Sequence, residues 1–157
     1  MRKDYSPQNN ELHKKAKKSS RSKYFSNKVM ELIRESYFPE TLKIRHGAIL
    51  VKGGKIIAFG VNSAKNHPMA FEPILRGKSN RDIANVLTLH AEMNCFRSIK
   101  NKENINGSIM YVGRLSQDKN ERMSCPCESC QYYLQMYGVR KVVYSTGNEN
   151  EWYEVRI

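Results

Sequence analysis

The sequence predicts a three-layer α/β/α sandwich around a mixed sheet, and three observations carry that prediction. An amphipathic stripe opens the ordered part, two apolar runs meet at a pair of glycines, and later apolar runs alternate with helical patterns. In the first of these, Phe25, Val29, Leu32 and Ile33 follow the i, i+4, i+7, i+8 spacing of one helix face, and Pro39 ends it. The runs at 46–52 and 55–62 flank Gly53-Gly54, and consecutive glycines supply the positive φ that a tight hairpin turn needs. Residues 63–87, with two prolines and several charges, read as a long irregular connection, and such loops are usually functional. A second helix is expected over 89–99 with Thr88 as N-cap, then a strand at 108–115 after the Asn106-Gly107 turn. A third helix runs from Cys127 to Met136 with Gly138 at C′, and the strand at 141–145 closes the pattern. The order is α-β-β-α-β-α-β. Its first pair is a hairpin, and its later strands, separated by helices, should run parallel through right-handed crossovers.

A length of 157 residues fits one domain. The apolar runs are too short to span a bilayer, so no membrane association is expected. No charged-then-apolar leader opens the chain, which points to an intracellular, cytoplasmic location. The net charge of +12 is uneven: residues 1–28 hold nine Lys and Arg against two acids, whereas residues 29–157 hold 18 against 13. Residues 1–21 are polar and read as a basic, mobile tail preceding a domain over 22–157. The cluster Lys14, Lys15, Lys17, Lys18 and Arg21 offers a grip on phosphates or a targeting signal, and equally a merely solubilising surface.

Of four cysteines, Cys125, Cys127 and Cys130 fall within six residues. In a reducing compartment such a cluster is more often metal-binding or catalytic than disulfide-bonded. Cys127 and Cys130, at i and i+3, share one face at the start of a predicted helix, where the dipole favours thiolates. Two thiolates make half of a tetrahedral zinc shell, and with no second CxxC the missing ligand must come from elsewhere, histidine being the first candidate. His90 is the best candidate, since it opens another predicted helix with the carboxylate of Glu92 two residues on. One His and two Cys leave the fourth zinc position for water, as in catalytic sites.

His90-Ala91-Glu92 followed by Pro126-Cys127-Glu128-Ser129-Cys130 resembles the signature of the zinc-dependent cytidine and deoxycytidylate deaminases. The likeness covers about residues 22–146 and is greatest to the deoxycytidylate-deaminase-like branch. It implies a cytidine-deaminase-like fold, a Zn2+ cofactor held by His90, Cys127 and Cys130, and Glu92 as proton shuttle. It also implies a zinc-bound hydroxide attacking C4 of cytosine or C6 of adenine. Asn62 matches the family residue that contacts sugar or base. The Ala91 N–H would hold the pyrimidine carbonyl, and carbonyls of Ser124, Cys125 and Pro126 would orient the leaving amine. A homo-oligomer is in keeping with the family.

Other residues have plainer readings. Cys95 is expected as a small core hydrophobe, and His46 and His67 as polar or structural residues without a ligand partner. Asn94, one turn from His90, would buttress the site. Tyr132, Tyr133 and Tyr137 read as core or interface, and Trp152 as cover for a sheet edge. Three functions stay open. The favoured one is deamination of a small cytosine nucleotide or nucleoside, dCMP to dUMP, with Lys65, Arg76, Lys78 and Arg81 near a 5′-phosphate. The second is editing of cytosine in single-stranded DNA or RNA, or of adenosine in tRNA, with the tail gripping nucleic acid. The third is a zinc-stabilised binding module without chemistry.

Overall fold

A computed structural model describes residues 10–40, 42–66 and 88–157. Six strands form one mixed sheet in the order β1-β8-β7-β6-β2-β3. They are β1 (Lys17–Lys18), β2 (Ile44–Lys52), β3 (Lys55–Val61), β6 (Ile109–Ser116), β7 (Lys141–Ser145) and β8 (Trp152–Arg156). The short strands β4 (Ser63–Asn66) and β5 (Thr88–Leu89) pair with each other, joining the two ends of the long connection. Gly53 and Gly54, both at positive φ, turn β2 into β3. β2 is antiparallel to β3 and β6, so β3, β6 and β7 all run one way, as helix-separated strands should.

Helix α2 (Tyr24–Glu35) covers one face, where Val29 and Ile33 pack with Ile49, Val51, Tyr111 and Val143. Helices α3 (Ala91–Arg97) and α4 (Glu128–Met136) cover the other, over Ala48, Leu50, Met110, Val112 and Val142. Alternate residues of β2 and β6 feed alternate cores, which is the two-residue period of a sheet buried on both sides. The three layers are those that the sequence predicts. No helix among the described residues is long and apolar enough to cross a membrane.

Three differences from the sequence expectations have physical causes. From Asn10 onward the supposed tail is built into the fold. Asn10 caps α1 (Glu11–Lys14) by accepting from the Leu12 N–H, and β1 pairs with the edge strand β8. Its lysines stay exposed while His13, stacked on Tyr153, and Ser19 turn inward, a division that bulk composition conceals. Trp152 is not a loose cover: it starts β8 and is buried against the α2 face. Helix α3 begins at Ala91 with His90 as N-cap, because Thr88 and Leu89 are drawn into pairing with β4. His67, Arg76, Lys78 and Arg81 lie outside the described residues.

Candidate active site

Two helix starts meet at one end of the sheet. The first carries His90. Helix α3 lies so close to β3 that a Cβ on Gly60 would fall 2.5 Å from the Cys95 nitrogen and 2.7 Å from the Ala91 oxygen. The absent side chain therefore sets the height of His90 above the sheet. Asn94 Nδ2 donates to the Val61 carbonyl at 3.0 Å and ties the same helix to the strand end, the buttress expected of it.

The second start carries the cysteines. Ser124, buried beneath the loop, donates to the Val112 carbonyl at 2.7 Å and meets Ser145 Oγ at 2.7 Å. The Pro126 carbonyl accepts from Gln131 Nε2 at 2.7 Å and from Asn10 Nδ2 at 3.2 Å. Cys127 is the N-cap of α4, and Cys130 lies one turn on, fully buried.

These frames bring His90, Cys127 and Cys130 together, with one donor atom of each within 4.8 Å of the others. His90 Nδ1 lies 3.3 Å from Cys130 Sγ and 3.4 Å from Cys127 Sγ. A tetrahedral zinc with its usual bond lengths separates nitrogen from sulfur by about 3.5 Å. The donor set fits Zn2+.

The electrostatics agree with a thiolate site. A hydrogen bond from the Cys130 thiol holds Cys127 well below the ordinary thiol range, against the burial that works to raise it, and His90 adds to the lowering. Cys130, donating to that thiolate, is pushed well up. The pair thus shares one proton, which a metal cation would displace. Glu92, only 4% exposed, sits against Cys130, and burial pushes its carboxyl up. A carboxyl whose hold on a proton is strengthened in this way is suited to accept one and to return it.

The remaining sequence candidates divide. Ala91 is buried at the first position of α3. The Asn62 amide spans β2, accepting from the His46 N–H at 2.8 Å and donating to the Ile44 carbonyl at 2.8 Å. Its nitrogen is thereby committed to the hairpin, and its oxygen fixes His46. The Ser124 hydroxyl is an internal clasp. Both lone pairs of the Pro126 carbonyl are taken, so that oxygen is a fixed point of the loop and not an acceptor for a substrate amine. Cys125 is apolar in behaviour, its thiol raised to about 12 by burial, and Cys95 likewise, as a core hydrophobe should be.

Two residues that sequence reasoning left aside also face the site. His46 and Arg114 stand opposite each other on β2 and β6. By strand alternation they share the face of Ala48 and Val112, and the His46 ring is within electrostatic reach of His90 and Cys127. Burial, then Arg114, pushes that imidazole down to about 3. Counting two-residue steps back from the buried Ala48 would have revealed the orientation of His46.

Comparison with known proteins bears on this geometry. A family model described as the cytidine and deoxycytidylate deaminase zinc-binding region matches residues 19–146. The deoxycytidylate deaminase of Schizosaccharomyces pombe (strain 972 / ATCC 24843) is 29% identical over 111 residues, covering 67% of this chain and 31% of that protein. This chain thus spans less than a third of that relative's length. A crystal structure of the dCMP deaminase from the cyanophage S-TIM5 in complex with dCMP and dUMP is similar at 27% identity and a TM-score of 0.46, covering 79% of this chain and 82% of that one. The cytidine deaminase of Mycobacterium tuberculosis is similar at 17% identity and a TM-score of 0.43, over 75% of this chain and 78% of that one. With the family match running from just past β1 to the end of β7, and the zinc donors converging inside it, the chain belongs to the cytidine and deoxycytidylate deaminase family.

Proposed function

We propose that the protein catalyses hydrolytic deamination of a cytosine nucleotide, dCMP to dUMP being the favoured reaction. The observation that carries this reading is the buried Glu92 carboxyl beside the His90, Cys127 and Cys130 donors. Zinc bound there would supply Lewis acidity, making water a nucleophile at neutral pH. Glu92 takes one proton from that water and delivers it to ring N3, then takes the remaining hydroxyl proton and passes it to the departing amine, so that water and cytosine become uracil and ammonia. The Ala91 N–H, in the unsatisfied first turn of α3, holds the pyrimidine carbonyl. With the Pro126 oxygen committed, orientation of the amine falls to the carbonyls of Ser124 and Cys125. Helix dipoles from α3 and α4 offset the charge of two thiolates at one metal.

The test is Glu92→Gln in the zinc-loaded protein, followed by ammonia release and ultraviolet absorbance on dCMP, CMP, deoxycytidine and cytidine. Turnover should fall roughly 10²- to 10⁴-fold with zinc content unchanged. Wild-type turnover in the variant would remove Glu92 from the chemistry, and no turnover of any compound by the wild type would sink the reading.

The charge of +12 favours a second substrate form, the same base within a polynucleotide. Because Lys14, Lys15, Lys17 and Lys18 are exposed while their backbone is part of the fold, they are best tested by substitution. Changing all four to Gln should weaken action on oligonucleotides, and flatten its salt dependence, while sparing free nucleotides. Equal effects on both would exclude the polynucleotide reading.

A further inference from the structure

Three residues outside the metal donors and Glu92 line up behind the cysteine loop. Tyr144 on β7 is fully buried, so its hydroxyl must find a partner or cost free energy. It has two. His13 Nδ1 lies 2.6 Å away on one side, and the Cys125 thiol is hydrogen-bonded to it on the other. The His13 ring is stacked on Tyr153 at 5.7 Å and meets the Tyr144 ring edge-on at 5.8 Å, so it stands in a fixed aromatic slot. Cys125 in turn faces the site, since Glu92 and Cys127 both act electrostatically on its half-buried thiol. A line of contacts thus runs from the N-terminal segment through β7 to the loop that carries the metal donors.

The same segment also grips the next residue of that loop. Asn10 Nδ2 and Gln131 Nε2 both donate to the Pro126 carbonyl. The planar peptide unit between Cys125 and Pro126 is therefore held at both ends, by the Cys125 side chain and by the Pro126 carbonyl. Its oxygen, the Cys125 carbonyl, is one of the two that orient the substrate's amine in the reading above. A group aimed at a reacting atom has to be kept within roughly 10–20° of its productive direction, by residues whose own rotamers are fixed. Tyr144, enclosed in the core, and His13, stacked in its slot, meet that requirement.

We propose that His13 and Tyr144 are positioning residues for the reaction, which aim the Cys125 carbonyl at the leaving amine by holding the Cys125 side chain. This rests on the deaminase reading of the site and extends it to the N-terminal segment, which then serves the chemistry from a distance. The departing nitrogen gains a proton and positive character along the reaction. A well-aimed carbonyl is accordingly a better partner in the transition state than in the ground state, and its aim is felt in kcat.

The experiment compares zinc-loaded full-length wild type, Tyr144→Phe, His13→Leu, His13→Asn and the double variant of Tyr144→Phe with His13→Leu, all on dCMP. With rates expressed per bound zinc, Tyr144→Phe should lower kcat roughly 5- to 10-fold, the scale of one orienting hydrogen bond, with KM close to wild type. His13→Leu should lose less. His13→Asn, whose amide keeps a hydrogen-bonding group for the Tyr144 hydroxyl, should recover part of that loss. The double variant should be no slower than Tyr144→Phe alone, because His13 acts through that hydroxyl. A purely structural brace would lower the unfolding temperature or the zinc content and leave kcat per zinc unchanged, and that result would overturn the proposal. So would a double variant in which the two losses multiply.

A second readout is independent of turnover. Labelling the cysteine carbonyls with carbon-13 in the zinc-loaded Glu92→Gln protein gives an NMR signal for each cysteine, and Cys125→Ser identifies that of Cys125. Adding dCMP should shift this signal, and His13→Leu should move it in the free protein and reduce the shift on binding. If wild type deaminates no nucleotide while the free-protein signal depends on His13, the reaction is wrong and the positioning line stands. If the signal ignores His13, the proposal fails whatever the turnover.

Discussion

The two arms that present the metal donors are held in different ways. The His90 arm is local: α3 rests on β3 through the bare backbone of Gly60, and Asn94 ties it to the end of the same strand. The cysteine arm is held from far along the chain. Ser124 is fixed by Val112 and Ser145, and Pro126 by Gln131 and by Asn10, 116 residues away. One arm depends on steric closeness, the other on a distributed set of hydrogen bonds. The first should therefore fail abruptly on a single substitution, and the second by degrees.

The largest effect is expected at Gly60. Alanine there would set a Cβ against backbone atoms of α3 that cannot swing aside, the nearest at 2.5 Å. Gly60→Ala should lift His90 away from the sulfurs, lower stability by about 3 kcal/mol or more, and cut zinc content below one per chain. Thermal unfolding and metal analysis check it. Wild-type zinc content in this variant would mean that α3 is not held by closeness, and the contrast between the arms would collapse.

In the cysteine arm, the Ser124 hydroxyl serves the Val112 carbonyl, Ser145 Oγ and the Ser145 N–H together. Ser124→Ala leaves buried partners unsatisfied and should cost about 1–3 kcal/mol in urea unfolding, with zinc still bound. Ser145 Oγ also lies 2.7 Å from the Arg122 carbonyl and has one proton to divide between that oxygen and Ser124 Oγ, so the two serines form one network. The double variant should then be less destabilised than the sum of the single ones. Strict additivity would show two independent bonds and no clasp.

That contrast also explains what could be read in advance. The His90 arm is legible because a strand, a glycine and a helix N-terminus follow one another within a few dozen residues. His90, Glu92, Cys127 and Cys130 announce themselves through donor type and spacing, and the layers through hydrophobic period. The braces of the cysteine arm are not legible. Nothing in the polar composition around Asn10 says that its amide reaches Pro126, or that His13 Nδ1 meets the Tyr144 hydroxyl at 2.6 Å. A two-residue strand of exposed lysines has no period to detect, and β1 exists only because β8 offers an open edge. Likewise His46 looks idle until the pairing of β2 with β6 sets Arg114 beside it.

The N-terminal edge should be the acid-sensitive part of the molecule. Burial works to raise the Glu154 carboxyl, but hydrogen bonds from Lys141 Nζ at 2.5 Å and Ser19 Oγ at 3.0 Å outweigh it and hold it below the usual range. The unfolded chain therefore binds a proton there more readily. This stabilisation is complete above an unfolded value of about 4.3 and is lost as pH falls through the lower folded value. Amide exchange between pH 3 and 6 should show β1 and β8 loosening in acid, and Lys141→Met should shrink that pH dependence. An unchanged slope in the variant would detach Glu154 from the effect.

The smallest effect, and the finest test of the distributed arm, is Asn10→Ala. The change removes one neutral donor from the Pro126 carbonyl while Gln131 remains, and it removes the oxygen that caps α1. A neutral hydrogen bond contributes about 0.5–1.5 kcal/mol, so zinc should be released to a chelator roughly 2- to 10-fold more readily. Asn10 Oδ1 also accepts from Gln131 Nε2 at 3.2 Å, so each amide steadies the other on the same carbonyl. Pairing Asn10→Ala with Gln131→Ala should accordingly loosen zinc by a factor different from the product of the single changes. A simple product would mean two separate props, and an unchanged zinc affinity in both variants would reduce the N-terminal segment to a covering that plays no part in holding the cysteine loop.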